Sequence, residues 1–156
     1  LRDLALRKVA EKVEHKITNA SAPLPFEKFL ACISTNDKGA KKILRKTARM
    51  STHYQAKWVV LYVQISREST YKVKLAAQRK LLNNLKWAAE QGAKTLKREN
   101  DDVAEAIYKV IKEENITTVV IGRPKSTLLK QLLGRNHFKN LLSKLENEDT
   151  DVVIVA

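Results

Sequence analysis

Apolar residues in this chain fall into two alternating kinds of stretch. Short runs rich in β-branched and aromatic residues occur at 26–33, 57–63 and 117–122, with a last one at 152–155 and a weak one at 95–97. Between them apolar positions recur at helical spacing: Ala40, Ile43, Leu44 and Ala48; then Ala77, Leu81, Leu85, Ala88 and Ala89; then Val103, Ile107, Val110 and Ile111; then Phe138, Leu141, Leu142 and Leu145. Runs of the first kind predict buried strands and the stripes predict helices. Strands alternating with helices predict a doubly wound α/β domain, a five-stranded parallel sheet with right-handed crossovers and helices on both faces.

Local signals punctuate the same order. Asn36 or Asp37 is placed to cap the helix from 38, and Asp101 or Asp102 the helix from 103, which runs to Asn115. A long helix is expected over 71–91, with Gly92 where a helix-ending glycine belongs. The leucines at 128, 129, 132 and 133 predict a short helical stretch interrupted around Gly134. Upstream, residues 1–19 read as an amphipathic helix with Arg and Lys between its apolar positions, and the stretch with Pro23 and Pro25 cannot continue it. The domain division is therefore a connector helix and Pro-containing linker at 1–25 and an α/β domain at 26–156. The first helix is either a connector from an upstream domain or a helix packed on this domain's own surface.

Composition narrows the function classes. The 156 residues are 44% hydrophobic and 30% charged, enough for one domain with a real core. No apolar run reaches membrane-spanning length, and one cysteine, Cys32, allows no disulfide within the chain, which makes the cytoplasm the default expectation. The chain opens at Leu1 and ends in an apolar run, as expected of a piece cut from a longer polypeptide. A formal charge of +13 attracts polyanions without choosing among them. Lys41, Lys42, Arg45, Lys46 and Arg49 lie mostly on one face of the helix from 38, a solvated face or a polyanion site.

The candidate chemistry lies after strands one and four. In open α/β sheets ligands bind beyond the carboxyl ends of the strands. That places Ser34, Thr35 and Asn36 beside Gly122, Arg123, Pro124, Lys125 and Ser126, where hydroxyls, cations and helix N–H groups suit a phosphate-bearing ligand. Trp58 and Tyr62 share one strand face, and either stacks on a purine if it lies near the crevice; core packing is the competing role. Trp87 lies off its helix's apolar stripe, a candidate partner contact. The three histidines have no nucleophile or carboxylate at a catalytic spacing, and the four glycines make neither a Walker loop nor a dinucleotide fingerprint. Metal binding has no support in one Cys and three distant His.

Phe29-Leu-Ala-Cys-Ile-Ser-Thr35, Trp58-Val-Val-Leu-Tyr-Val63, Asp102-Val-Ala-Glu-Ala-Ile107 and Val119-Val-Ile-Gly-Arg-Pro124, in that order, resemble the universal-stress-protein-like domain of KdpD-type potassium sensor histidine kinases. The opening Leu1-Arg-Asp-Leu-Ala-Leu-Arg-Lys-Val-Ala10 looks like the helix that joins it to the preceding nucleotide-binding domain. The resemblance implies a non-catalytic regulatory domain on the cytoplasmic side of an inner- or plasma-membrane kinase that controls potassium uptake. Gram-positive members bind cyclic di-AMP through a Ser-x-Ser motif after strand one and a Phe-Thr-Ala-x-Tyr motif in strand two. Here these read Ser34-Thr35-Asn36 and Trp58-Val59-Val60-Leu61-Tyr62, so Ser34 and Tyr62 match outright and Trp58 keeps the aromatic character. Gln64, Asn136 and His137 are the further contributors. ATP-binding members carry Gly-x-x-Gly after strand four; Lys125 stands where the second glycine belongs, which ranks ATP below a cyclic dinucleotide. The partners implied are the dinucleotide, the other domains of the same kinase and a second copy of the chain. Nucleic acid ranks below these, and the membrane enters only through the full-length protein.

Overall fold

The computed structural model describes residues 26–68, 73–123 and 137–156, with backbone only at Asp37 and His137. The expected helix and linker at 1–25 and the leucine-bearing stretch at 126–133 lie outside the described residues.

Five strands form one parallel sheet: β1 (Lys28–Ile33), β2 (Lys57–Gln64), β3 (Lys94–Glu99), β4 (Thr118–Gly122) and β5 (Asp151–Val155), in the order β3-β2-β1-β4-β5. Helices α1 (Asp37–Tyr54) and α2 (Leu75–Glu90) cover one face; α3 (Val103–Glu114) and α4 (His137–Leu145) cover the other. No helix among the described residues is long and apolar enough to cross a membrane.

The central strands are buried on both faces, which is why their sequences read as unbroken apolar runs. Phe29, Ala31, Ile33, Val60 and Tyr62 pack under α1 and α2 with Ile43, Leu44 and Leu81. Leu30, Val59, Leu61, Val119 and Ile121 pack on the opposite face with Ile107, Val110 and Leu141. Fully buried side chains such as Leu30 and Leu61 set the scale of stability, since truncating one to Ala costs about 2–5 kcal/mol.

Helix ends follow the expected chemistry, with one shift. Asn36 caps α1 by accepting from the Gly39 N–H at 3.4 Å, and Asp102 caps α3 by accepting from the Glu105 N–H at 3.0 Å. Gly92, just past α2, takes φ +87°, a conformation open to glycine. The long helix starts at Leu75 rather than at 71: Val73 and Lys74 are not helical, and Lys74 has φ −54° and ψ 135°. The weak strand expected at 95–97 is a full six-residue edge strand, its charged residues suiting an edge.

Candidate functional site

The strand order dictates where a ligand crevice opens. From β1 the chain runs outward through β2 to β3, then returns to place β4 on the other side of β1. The strand order therefore reverses between β1 and β4, the position where open α/β sheets bind ligands at the carboxyl edge. Ser34, Thr35 and Asn36 leave β1 there, and Gly122 and Arg123 leave β4 beside them.

Each group is held by its local structure. The Ser34 hydroxyl accepts from the Asn36 N–H at 3.3 Å, while Asn36 caps α1, so the first turn of that helix faces the edge with its dipole positive. Gly122 lies where β4 meets α1: a Cβ there would stand 3.3 Å from Ile43 Cδ1, tighter than ordinary contact. Arg123 extends the β4–β5 ladder through its N–H to the Val155 carbonyl at 2.9 Å, and its side chain is exposed.

A polar cluster closes the β2 side of the same edge. Tyr62 pairs with Ile33, the last residue of β1, which brings its ring beside the loop after β1. A single 3₁₀ turn, Ser66–Glu68, follows β2 and swings Glu68 back over the strand ends. The Glu68 carboxylate accepts from the Thr35 hydroxyl at 3.2 Å and from the Tyr62 hydroxyl at 3.1 Å, and the Gln64 amide donates to the Glu68 carbonyl at 3.0 Å. Burial, then the nearby Glu68 charge and its hydrogen bond, push the Tyr62 phenol up to about 12, so it keeps its proton and donates. Ser66 is fixed in turn by Asp101, which accepts from its N–H at 2.8 Å and its hydroxyl at 2.7 Å.

Among the predicted site residues, Ser34, Thr35, Asn36, Tyr62, Gln64, Gly122 and Arg123 come together at this edge. Trp58 does not. It is the second residue of β2, at the amino end, 3% exposed, and its indole N–H reaches the Gln91 carbonyl at 3.4 Å. Tyr62 lies four residue steps further along the strand, roughly 13 Å away. Pro124, Lys125, Ser126 and Asn136 lie outside the described residues, and His137 opens α4 without a described side chain. Glu68 was not singled out by the sequence, and Asp101, read there only as a candidate helix cap, instead holds Ser66 while Asp102 makes the cap. Cys32 packs against the α3 side of the sheet, where burial pushes its thiol up to about 12, and it stays neutral.

The edge can engage an anion with the α1 N–H groups, the Ser34 hydroxyl and the Arg123 guanidinium. Thr35, Tyr62 and Gln64 are already committed to Glu68. A ligand that took a hydrogen bond from the Thr35 or Tyr62 hydroxyl would have to displace the Glu68 carboxylate, whereas Gln64 is held by the Glu68 backbone carbonyl.

Over its whole length the chain is 28% identical to a stretch of the sensor protein KdpD of Escherichia coli K12, covering 17% of that protein. Over 79% of its length it is 30% identical to the sensor protein KdpD of Clostridium acetobutylicum, covering 14% of it. The chain thus spans less than a fifth of either relative. Among solved structures, a universal stress protein in complex with cAMP superimposes with TM-score 0.59 at 17% identity, over 84% of this chain and 97% of that one. The model of the universal stress protein family matches residues 25–147, which contain four of the five strands and the whole candidate edge; the chain belongs to the universal stress protein family.

Proposed function

We propose that this chain is a non-catalytic, nucleotide-sensing regulatory domain of a KdpD-type sensor kinase that controls potassium uptake, working on the cytoplasmic side of the membrane. The observation that carries the reading is the meeting of Ser34–Thr35–Asn36 with Gly122–Arg123 where the strand order reverses, in a chain similar to KdpD sensor proteins. Cyclic di-AMP is the first candidate ligand and ATP the second. Phosphate would sit on Ser34, the α1 N-terminus and Arg123, with Pro124, Lys125 and Ser126, next in the sequence, as further contacts. Purine would stack near Tyr62, with Thr35, Gln64, Asn136 and His137 as the remaining contacts. The other domains of the kinase and a second copy of the chain are the protein partners.

Calorimetric titration at physiological salt, with cyclic di-AMP against ATP and cyclic di-GMP, tests this. Micromolar or tighter binding of cyclic di-AMP alone supports the receptor.

One observation favours a second reading. Glu68 already satisfies both the Thr35 and Tyr62 hydroxyls, as in a module that works through its surfaces without a ligand. Silence from all three nucleotides would select it.

A further inference from the structure

The charges of this domain are sorted by face. On the α3–α4 side and at the strand ends, cations find carboxylates: Lys112 reaches Glu148 at 2.6 Å, Lys144 reaches Glu105 at 2.6 Å, and Arg98 reaches Glu113 at 3.1 Å. On the α1–α2 side the balance is different. Helix α1 carries six Lys and Arg and α2 three, against one carboxylate each, Asp37 and Glu90. Arg45, Lys46, Arg49, Arg79, Lys80 and Lys86 are all exposed, and none makes an ion pair among the described residues.

The same face exposes apolar side chains where a solvated helix would carry polar ones. Leu75 and Leu82, seven residues apart and so on one stripe of α2, are 62% and 64% exposed. Arg79 and Lys86 stand four residues beyond each, on that same stripe. Toward the far end, an open groove of about 710 Å³ between α1 and α2 is lined by Arg45, Arg49, His53 and the half-buried Trp87.

We propose that the α1–α2 face is a docking surface for an anionic phospholipid bilayer. The choice of occupant follows from the mixture. Leucines flanked by long cationic side chains suit a membrane interface, where the leucines leave water and the cations stay at headgroup level. Nucleic acid would use the cations and leave the leucines without a partner. An acidic protein segment would be held in the groove alone, without the α2 stripe. The inference goes beyond the nucleotide reading and does not depend on it, since the face lies on a helical layer and the candidate site at the strand ends.

Co-sedimentation of the 156-residue chain with phosphatidylglycerol–phosphatidylcholine vesicles, against pure phosphatidylcholine vesicles, tests it. The expected result is binding to anionic vesicles only, weakening as salt rises. Each cation at an anionic surface contributes about fivefold to partitioning, so Arg45→Gln, Lys46→Gln and Arg49→Gln together weaken it about a hundredfold. Leu82→Ser weakens it about tenfold, as a leucine no longer withdrawn from water. A matched variant on the other face, Lys109→Gln with Lys112→Gln and Lys139→Gln, retains binding.

Equal loss from both triple variants reduces the effect to net charge and overturns the assignment. Binding that survives the α1 and Leu82 substitutions overturns it too, because the basic residues 1–19 would then be responsible. Absence of vesicle binding overturns it outright, and capture of polyuridylate RNA in that case would move the face to nucleic acid.

Discussion

The Tyr62 hydroxyl donates to Glu68 Oε2 at 3.1 Å, and the other oxygen of that carboxylate holds Thr35, so one acidic side chain ties β2 to the loop after β1. A tyrosine in this position resists ionisation. Its folded-state value, about 12, lies above the ordinary 10.0, so its contribution to stability is complete below pH 10 and is lost as pH rises through about 12. Replacing Glu68 by Gln removes the repulsive charge and should let Tyr62 ionise at lower pH, part of the way back toward 10.0, because burial, the largest cause of the shift, remains. Phenolate absorbance, taken as the difference from a Tyr62→Phe variant, reads this directly; an unshifted titration in Glu68→Gln would show that Glu68 has no hold on the phenol.

A second carboxylate works at the opposite edge of the sheet. Glu114, at the end of α3, accepts from Lys94 at 2.5 Å and from Lys28 at 2.9 Å, linking the amino ends of β3 and β1. The hydrogen bonds from Lys94 and then Lys28 hold its carboxyl below the ordinary 4.5. A depressed value means stability that is present above pH 4.5 and is lost as pH falls through the lower folded-state value. Glu114→Gln should therefore lower the melting temperature at neutral pH and flatten its fall below that point, measured by circular dichroism across the acid range.

The two helix caps offer a comparison within one protein. Asp102 accepts from the N3 amide at 3.0 Å and also brings a negative charge to the α3 N-terminus, whereas Asn36 accepts at 3.4 Å and is neutral. Asp102→Ala should cost about 1 kcal/mol, within the roughly 0.5–2 kcal/mol range for lost caps, and Asn36→Ala less. Urea denaturation ranks the two, and the reverse order would mean that the α1 cap is the stronger one in solution.

Arg123 carries the charge side of the ligand reading. A charge-assisted hydrogen bond to phosphate contributes about 1.5–3 kcal/mol, so Arg123→Ala should weaken cyclic di-AMP by tenfold or more. Its backbone N–H to Val155 is kept in the variant, so the melting temperature should stay put. An unchanged dissociation constant in a chain that does bind would remove Arg123 from the site.

The strands and helices were legible because their apolar periods are clean: 119–121 is buried on both faces and reads as a run, while Val103, Ile107, Val110 and Ile111 read as a stripe. The polar cluster was not legible. Glu68 stands in a stretch that looks like any polar loop, and only the pairing of Ile33 with Tyr62 brings Thr35 within its reach. Period-2 alternation correctly put Trp58 and Tyr62 on one face, since both pack under α1 and α2. Alternation says nothing about position along the strand, which is what separates Trp58 from the ligand edge.

That separation yields the sharpest test of the site's limits. Trp58 is almost fully buried near the end of α2, where its indole N–H meets the Gln91 carbonyl just before the left-handed Gly92. Trp58→Phe keeps most of the apolar contact and deletes the donor, leaving that carbonyl to solvent, a loss of about 1 kcal/mol by the usual worth of such a bond. The expected outcome is a lower melting temperature with nucleotide affinity unchanged, because the substitution is made at the amino end of β2 while phosphate and purine would lie at the carboxyl end. Loss of nucleotide affinity at full stability would place the aromatic in the ligand's path and require a crevice on the amino side of the sheet.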